Sequence, residues 1–318
     1  MVGLRHWFAV VVSLIVCISA HAASSAAKSD SGQKRVSIIL SDAEPRYTMS
    51  RDGILQYLGE NGLTEPKVVV SVSVLGKDRA ADVAKLIAEK PDVYVPVGTT
   101  ASMAIVKTVH DTPVVLCHVF DPVQAGIVKD WHSSGNNVTG ASNHVSLFKF
   151  LDRLHDVMPV KKIAILIAPG EKNSEIQAAE IQDAARQLHI AVVSLEVRAE
   201  QDLARLSGQL AGKADLLYLT GGLFIGSNIP RIMETAIKLQ IPTATHLDDF
   251  VARGVLLGLI ANSVEVGHFC GRALASVLKG AAPASIPIEY PNPQLILNLQ
   301  TAKAQNFNMS WRQIENAF

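Results

Sequence analysis

Neither sign of charge dominates this 318-residue chain, which has 29 Lys and Arg residues and 29 Asp and Glu residues. Binding to nucleic-acid duplexes depends largely on cationic side chains that contact phosphates, so we expect no nucleic-acid partner. Blocks of like charge, which are typical of disordered interaction tails, are also missing from the sequence. Hydrophobic residues make up 48% of the chain, enough for a sizeable core, and the length predicts two domains.

Long hydrophobic runs are scarce as well. The one marked run, at residues 7–20, is uncharged and 14 residues long, which is too short to span a bilayer. It ends in Ala-His-Ala at residues 20–22, which fits the cleavage pattern of a secretory signal. We therefore predict a signal peptide over residues 1–22 and a periplasmic or otherwise extracytoplasmic location, with a buried N-terminal helix as the alternative. A lipid anchor on Cys17 is disfavoured because Val16 precedes it.

Cysteine is rare. Outside the predicted signal peptide the chain has only Cys117 and Cys270, and neither belongs to a C-x-x-C or metal-binding spacing. Cys117 lies in an apolar strand pattern and Cys270 on the apolar face of a helix. Buried free thiols are the favoured interpretation, and a disulfide, which an oxidising compartment would allow, stays open.

Motifs of the common catalytic and cofactor sites are absent from the sequence. It contains no G-x-S-x-G elbow, no H-E-x-x-H, no dinucleotide-binding G-x-G-x-x-G after a strand and no phosphate-binding loop. We predict no catalysis and no cofactor. His118, Asp121 and His144 would form a metal site only if they converged, and histidines satisfied by hydrogen bonds are the favoured interpretation, so no metal is predicted.

Short apolar runs alternate with amphipathic stretches from residue 33 onward. This rhythm is typical of a parallel sheet that helices cover on both faces. The predicted buried strands lie at residues 35–40, 67–74, 92–97 and 113–119, with helices at 49–61, 79–89 and 100–109.

The same rhythm restarts after a helix predicted at residues 145–158. The sequence therefore predicts two α/β halves with a boundary near residues 142–145. In the second half, strands are predicted at 162–167, 191–197, 214–219, 242–246, 255–260 and 294–299, and helices at 174–188, 200–212, 229–239 and 264–279.

The loops that follow the strands hold the candidate ligand-binding residues. In open parallel sheets, ligands bind beyond the carboxyl ends of the strands, and two facing sheets enclose a cleft. Glycine lets a ligand approach the backbone, and hydroxyl and N–H groups at a helix start suit oxygen-rich groups, although the same residues also cap helices. The predicted ligand-binding residues are Ser41, Asp42, Gly98, Thr99, Thr100, Phe120, Asp121, Asn173, Ser174, Gly221, Gly222, Asp248 and Asn262.

Six short motifs occur in a fixed order along the chain. They lie at residues 97–101 (VGTTA), 120–126 (FDPVQAG), 136–140 (NNVTG), 171–174 (EKNS), 249–254 (DFVARG) and 298–302 (NLQTA). Each motif alone is weak, but the order and spacing of all six resemble the ABC-transporter substrate-binding proteins of the tryptophan/tyrosine-type group. The resemblance runs from about Asp92 to Met309.

The resemblance implies the type I periplasmic binding protein fold, in which two doubly wound parallel-sheet lobes are joined by a three-strand hinge. It implies a first lobe at residues 33–142 plus about 262–282, and a second lobe at 143–261 plus about 283–318. The pocket residues of the family correspond to Thr99, Thr100, Asp121, Asn173 and Ser174.

The resemblance also implies a function. It predicts a monomer that captures a small organic ligand, amino acid-like or related, and delivers it to an ABC permease in the inner membrane by hinge closure. One alternative is a periplasmic sensor subunit of the same fold that feeds a membrane signalling protein. Another is an enzyme, which would need a nucleophile or an acid–base pair in the cleft.

Two positions depart from the family. Gly221-Gly222 stands where the family commonly has Asp-Asn, and Asn262-Ser263 stands where Asp-Tyr is common. An aspartate suits an α-ammonium group, and an aromatic ring suits a flat side chain. We therefore expect a larger or less cationic ligand than an aromatic amino acid, bound in the emptied space.

Overall fold

The computed structural model describes residues 32–307, apart from the side chains of residues 155–157. The predicted signal peptide at residues 1–22 and the end of the predicted second lobe at 308–318 lie outside the described residues. No helix in the described range has the length and hydropathy needed to cross a membrane.

Five parallel strands form the first sheet, in the order β2-β1-β3-β4-β5. They are β1 (Lys34–Leu40), β2 (Val68–Val74), β3 (Val93–Val97), β4 (Val114–Cys117) and β5 (Val138–Ala141). All of β3 is buried, as expected for a strand covered on both faces. The predicted burial of β2 is wrong in its second half, where Val72 and Val74 are exposed because β2 is an edge strand.

Helices follow the strands of this sheet as the hydrophobic pattern predicts. They are α1 (Pro45–Glu60), α2 (Arg79–Ala88) and α3 (Thr99–Val106). Helix α3 begins two residues after β3 ends, so its first turn lies at the carboxyl edge of the sheet.

The second sheet has six strands in the order β11-β10-β9-β8-β6-β7. All pairings are parallel except that of β11 with β10. The strands are β6 (Lys162–Ile167), β7 (Ala191–Glu196), β8 (Leu216–Leu219), β9 (Thr243–Thr245), β10 (Leu257–Ile260) and β11 (Gln294–Leu297). The helices are α4 (Leu147–Val157), α5 (Lys172–Gln187), α6 (Glu200–Leu210), α7 (Leu223–Ser227), α8 (Ile229–Lys238), α9 (Asp248–Ala252), α10 (Ser263–Leu278) and α11 (Leu299–Ala304).

Helix α10 packs against α1, β4 and β5 of the first lobe, although it follows β10 in the chain. Gly53 of α1 and Gly267 of α10 lie at the helix contact, where a Cβ at either position would overlap backbone atoms of the facing helix. The absence of side chains at these positions therefore lets the two helices approach closely.

The chain passes between the lobes three times, at residues 142–146, at 261–262 and at 279–293. The first and third crossings run side by side, since the N–H group of Ser142 donates to the carbonyl of Glu289 at 2.9 Å. The Thr139 hydroxyl donates to the Ile286 carbonyl, also at 2.9 Å. These segments form the link on which the two lobes could rotate.

Cys117 and Cys270 form a disulfide that joins the end of β4 to α10. Their Cα atoms are 5.8 Å apart, within the usual range for a disulfide. Both residues are fully buried. The prediction of two free thiols is therefore wrong, because the return of α10 to the first lobe brings together two cysteines that are 153 residues apart in sequence.

Candidate functional site

Residues from both lobes line a small cavity where the strand ends of the two sheets meet. Its volume is about 10 Å³, which is roughly the room that one water molecule needs. The lobes therefore lie close together in this structure, and the cavity is too small for an amino acid-sized ligand. The lining residues are Arg46, Tyr47, Thr99, His118, Phe120 and Asn143 on one side, and Asn173, Gln177, Gly221 and Leu247 on the other.

Four of the predicted residues are among them. Thr99 is the first residue of α3, and Phe120 follows β4. Asn173 lies in the first turn of α5, and its Nδ2 group donates to the carbonyl of Gly221 at 2.7 Å. The structure thus brings together loops that follow four different strands.

Two predicted hydroxyl residues hold the loops in place. The Ser41 hydroxyl donates to the Val97 carbonyl at 2.9 Å and accepts the N–H group of Ala101 at 3.0 Å. The Ser174 hydroxyl accepts the N–H group of Ala168 at 2.9 Å. Both residues are buried, so they position the cavity walls. Ligand contact by these hydroxyls stays a prediction.

The predicted glycines accommodate neighbouring side chains. Gly98 has a φ of +92°, and a Cβ there would lie 2.8 Å from the ring of Tyr47. A Cβ at Gly222 would lie 2.8 Å from the Cβ atom of Ala168. Thr100, the neighbour of Thr99, is partly exposed and is not part of the cavity wall.

The predicted carboxylates of the first lobe accept hydrogen bonds from their own turns. Oδ1 of Asp42 accepts the N–H group of Glu44 at 2.8 Å. Oδ1 of Asp121 accepts the N–H groups of Val123 and Gln124, both at 2.9 Å. Asp121 thus caps the turn that follows it, and a ligand role for either carboxylate stays a prediction.

Asp248 and Asn262 connect α9 to α10. The Asp248 carboxylate accepts the N–H and O–H groups of Ser263, both at 2.8 Å. Oδ1 of Asn262 caps α10 by accepting the N–H group of Glu265 at 3.1 Å. Neither side chain lines the small cavity, because both are directed toward the start of α10.

Sequence reasoning missed several residues of the cavity wall. His118 and Asn143 directly follow or nearly follow β4 and β5, so their strand-end position was a usable signal. Gln177 lies four residues after Asn173, on the same face of α5. Arg46 carried no such signal, since a charged side chain at a helix start is usually exposed.

His118 lines the cavity and has one ring nitrogen without a partner among the described residues. Its Nδ1 atom lies 2.9 Å from the hydroxyl of Ser50, and that hydroxyl donates to the Ser263 carbonyl at 2.9 Å. Since the hydroxyl has one proton, both hydrogen bonds form together only when Nδ1 carries a proton and donates. Burial lowers the pKa of His118 well below its usual value, so the ring is neutral and Nε2 is an acceptor. Nε2 has no hydrogen-bond partner among the described residues.

His246 of the second lobe lies across from Phe120 of the first, with ring centroids 4.8 Å apart. Its Nδ1 atom lies 2.7 Å from the hydroxyl of Tyr218. Burial lowers the pKa of His246 to about 3, so this ring is also neutral. Within the described part of the chain, its Nε2 atom has no partner either.

Four charged side chains link the lobes beside the cavity and are called the ion-pair cluster below. Glu44 and Arg46 come from the start of α1, and Asp249 and Arg253 come from α9 and the residue after it. An Arg46 Nη atom lies 3.1 Å from Oδ2 of Asp249. An Arg253 Nη atom lies 2.7 Å from Glu44 and from Asp249. Only 2% of the Arg46 side chain is exposed, so this interlobe contact is desolvated.

The glycine pair does not leave extra room in this conformation. A Cβ at Gly221 would lie 3.1 Å from Leu247 and 3.3 Å from Asn173 and Gln177. The Gln177 side chain also accepts the N–H group of Gly221. The expectation of an emptied space is therefore wrong here, because neighbouring side chains fill the position.

Metal-binding groups do not converge in the described range, where no three His, Cys, Asp or Glu residues meet in a suitable arrangement. His118 is bonded to Ser50 and Asp121 to its own turn. The carboxylate that such a site would need is thus held by its own turn.

Comparison with known proteins agrees with the six motifs. A family model described as ABC transporter substrate binding protein matches residues 35–317. A tyrosine-binding protein of Clostridioides difficile is 28% identical over 222 residues, which cover 69% of this chain. The match spans 64% of that relative's length, slightly less than two thirds.

Solved structures confirm the predicted fold of two α/β lobes. An ABC domain from Streptococcus pneumoniae in complex with L-Trp has a TM-score of 0.82 at 22% identity, over 89% of this chain and 98% of that one. A ligand-free, open substrate-binding protein with adhesive properties from Clostridium difficile has a TM-score of 0.71 at 24% identity, over 87% of this chain and 96% of that one. A leucine-binding protein from Thermotoga maritima has a TM-score of 0.60 at 16% identity, over 77% and 83%.

The family model thus extends over both sheets and all three crossings between the lobes. The chain belongs to the ABC transporter substrate binding protein family.

Proposed function

We propose that this protein captures a small organic solute, amino acid-like or related, between its lobes and delivers it to an ABC importer by hinge closure. The observation that carries the proposal is the set of buried hydrogen-bonding atoms that lack partners where the lobes meet. Among the described residues, these include Nε2 of His118, Oδ1 of Asn143 and Nε2 of His246. Buried polar atoms are costly unless they are paired, so a ligand that pairs them is favoured.

Relatives support a solute of this kind. The C. difficile relative is a tyrosine-binding protein, and the S. pneumoniae domain was solved with L-Trp. Both ligands are amino acids, and this chain is similar in sequence to the first protein and in fold to the second. We propose a ligand of similar size for this protein.

The mechanism follows from the close approach of the lobes. A ligand that contacts both lobes stabilises the closed form relative to the open one, and it can shift the equilibrium only by its difference in affinity for the two. The ion-pair cluster adds further contacts that exist only when the lobes are together. The crossings at residues 142–146, 261–262 and 279–293 are the proposed hinge.

Export, location, oligomeric state and partner are part of the same proposal. We propose that the chain is exported with a cleaved signal peptide at residues 1–22 and works in the periplasm as a monomer. Its partner is an ABC permease of the inner membrane, which reads the closed form. It releases its solute unchanged, so we expect binding without turnover.

Native mass spectrometry and solution scattering test the proposal together. Freshly purified protein is expected to retain a small molecule, and removal of that molecule by partial unfolding and refolding should increase the radius of gyration. Adding the molecule back should restore the compact particle. The clamp is contradicted if a tightly bound molecule is found but its removal and return leave the scattering profile unchanged.

A further inference from the structure

The cavity wall contains a hydrogen-bond acceptor that the protein leaves unpaired. Nε2 of His118 has no partner among the described residues, and 5% of the residue is exposed. The ring is held in place by Ser50 at Nδ1 and by the edge-to-face contact with Tyr47, whose centroid lies 5.5 Å away. Since Nδ1 donates to Ser50, Nε2 can only accept. A ligand at this position must therefore offer a donor.

The charges around the cavity indicate which donor group the ligand carries. Among the described lining residues, Arg46 is the one charged side chain, and no carboxylate lines the cavity. An ammonium group placed here would lose its hydration without gaining an anionic partner, which is strongly unfavourable. A hydroxyl group donates to a neutral imidazole without that loss.

The nearest carboxylates are engaged elsewhere. Glu44 and Asp249 bind the two arginines of the ion-pair cluster. Oδ1 of Asp249 is unpaired within the described structure, but Asp249 lies outside the cavity wall and faces Arg46 and Arg253. Both oxygens of Glu171 accept the N–H group of Leu223. None of these three carboxylates lines the cavity.

Turn and cap hydrogen bonds engage the remaining carboxylates near the strand ends. Asp42 and Asp121 accept N–H groups of their own turns. Asp248 accepts both polar protons of Ser263. These three carboxylates also lie outside the cavity wall.

Groups that stabilise an oxygen-rich or anionic end lie on the same wall. The N–H groups of Thr99 and Thr100, in the first turn of α3, make no hydrogen bond within the described structure. Thr99 lines the cavity beside His118 and Arg46. Free N–H groups at a helix start bind carboxylates well.

Resting on the proposed solute-binding function, we infer that the ligand is a 2-hydroxy carboxylic acid and not the corresponding 2-amino acid. Its hydroxyl group donates to Nε2 of His118, and its carboxylate lies at the start of α3 near Arg46. His118 then selects a neutral donor over an ammonium group.

Isothermal titration calorimetry with matched pairs tests the inference on the full mature protein. The probes are leucine and 2-hydroxyisocaproate, phenylalanine and phenyllactate, and tyrosine and 4-hydroxyphenyllactate, all as L-enantiomers. The members of each pair differ only in an ammonium or a hydroxyl group at one carbon. In at least one pair, the hydroxy acid is expected to bind at least tenfold more tightly.

Equal or tighter binding of the amino acids overturns the inference, and so does failure of all three hydroxy acids to bind. Neither result touches the solute-binding function, which is judged by the retained molecule and the scattering change described above. If that molecule carries a primary ammonium group, the function stands and the inference fails.

His118→Asn isolates the acceptor. Both His118 and His189 have a left-handed backbone, with φ of 55° and 57°, a conformation that asparagine tolerates well. His189 is exposed, so His189→Asn is the matched control. We expect H118N to weaken the hydroxy acid about tenfold and the paired amino acid less than twofold, with H189N unchanged.

If H118N weakens the affinity for both ligands equally, His118 has a structural role. That result would contradict the inference that His118 selects a hydroxyl group over an ammonium group. Thermal unfolding followed by circular dichroism accompanies the titrations. If H118N does not fold, the more conservative H118Q replaces it in the same comparison.

Discussion

Several buried hydrogen-bonding atoms where the lobes meet have no partner among the described residues. His118 and His246 are both neutral because burial lowers the pKa of each ring, and each uses Nδ1 on a neighbouring hydroxyl group. Their Nε2 atoms are unpaired within the described structure. Neutral imidazoles keep a defined donor or acceptor character over the physiological pH range, so the recognition we propose does not depend on their titration.

Glu180 illustrates a different consequence of burial. Its Oε1 atom accepts the N–H group of Leu147 at 3.1 Å, while Oε2 has no partner among the described residues. Desolvation raises the pKa of Glu180 to about 7. Between the ordinary carboxyl pKa of 4.5 and about 7, the unfolded chain releases a proton that the folded chain keeps. The free energy of unfolding should therefore fall as pH rises through this window and level off above it.

Glu180→Gln removes this titration and keeps an oxygen for Leu147. Urea unfolding at the two pH values measures the effect. From pH 5 to pH 7.5, we expect Glu180 to lower the free energy of unfolding of the wild-type protein by roughly 2 kcal/mol, allowing for its partial exposure. Over the same pH range, the free energy of unfolding of E180Q should fall less than that of wild type by that amount. Glu234→Gln, which removes an exposed carboxylate from α8, is the matched control and should keep the wild-type slope. An identical slope in E180Q would show that Glu180 is not protonated in the folded protein.

Helix α10 depends on small side chains for its place against α1. Gly267 lies against the backbone of Ser50, and Gly271 lies against Tyr57, where a Cβ would approach the Tyr57 Cβ to 2.6 Å. The disulfide between Cys117 and Cys270 fixes the same helix to β4. Because Ser50 also bonds His118 and Ser263, this helix contact supports the cavity wall from behind.

Gly267→Ala should destabilise the protein by about 1–3 kcal/mol, because the added methyl group forces α1 and α10 apart. Gly208→Ala is the matched control, since Gly208 lies in α6 with open space around its Cβ position. That substitution should stabilise the protein by up to about 1 kcal/mol through helix propensity. Urea unfolding measures both changes. A G267A protein as stable as wild type would contradict the close helix contact.

The arrangement of the two lobes rests in part on charges that lie far apart in sequence. The ion-pair cluster joins residues 44 and 46 to residues 249 and 253 beside the cavity. Rotation about the proposed hinge would separate these pairs and return the charges to water. The cluster therefore biases the equilibrium toward the closed form, and it does so separately from the unpaired atoms of His118, Asn143 and His246.

Asp249→Asn tests this bias. It leaves Arg46 and Arg253 with Glu44 alone, so we expect the ligand-free variant to populate the open form more than ligand-free wild type and to have the larger radius of gyration. Ligand affinity should fall at least tenfold, because less of the protein is in the binding-competent closed form. Titration and scattering with whichever molecule the wild-type protein retains provide the measurements.

Asp183→Asn is the control for Asp249→Asn. Asp183 pairs with Arg186 at 2.8 Å on an exposed helix face, where ion pairs contribute little. It should change neither affinity nor the radius of gyration. If D249N behaves like D183N, the ion-pair cluster does not hold the lobes together.

Hydrophobic periodicity in the sequence was enough to predict the alternating strands and helices in two α/β halves, and the family resemblance added the two-lobed fold. Strands covered on both faces must be apolar throughout, and helices packed on one face must be amphipathic, so both leave local patterns. The burial of β2 was overestimated because a strand's position in the sheet order is not a local property. The short helices α7, α9 and α11 were missed because five or six residues carry too few turns for a periodic signal.

The candidate site was predictable only in part. Thr99, Phe120, Asn173 and Gly221 were found because strand ends and helix starts are visible in sequence and ligands bind there in this kind of sheet. The binding roles of all the predicted residues stay predictions, and several of these residues hold loops together.

Sequence therefore determined the two α/β halves and the strand ends where ligand binding is predicted, since both follow from local hydrophobic patterns. Tertiary structure decided that Cys117 meets Cys270, that Arg46 is buried against Asp249, and that Nε2 of His118 is left without a partner. These are contacts between segments about 70 to 200 residues apart. Nothing in the local sequence encodes such contacts, because they arise only when the chain crosses between the lobes and packs α10 back onto α1.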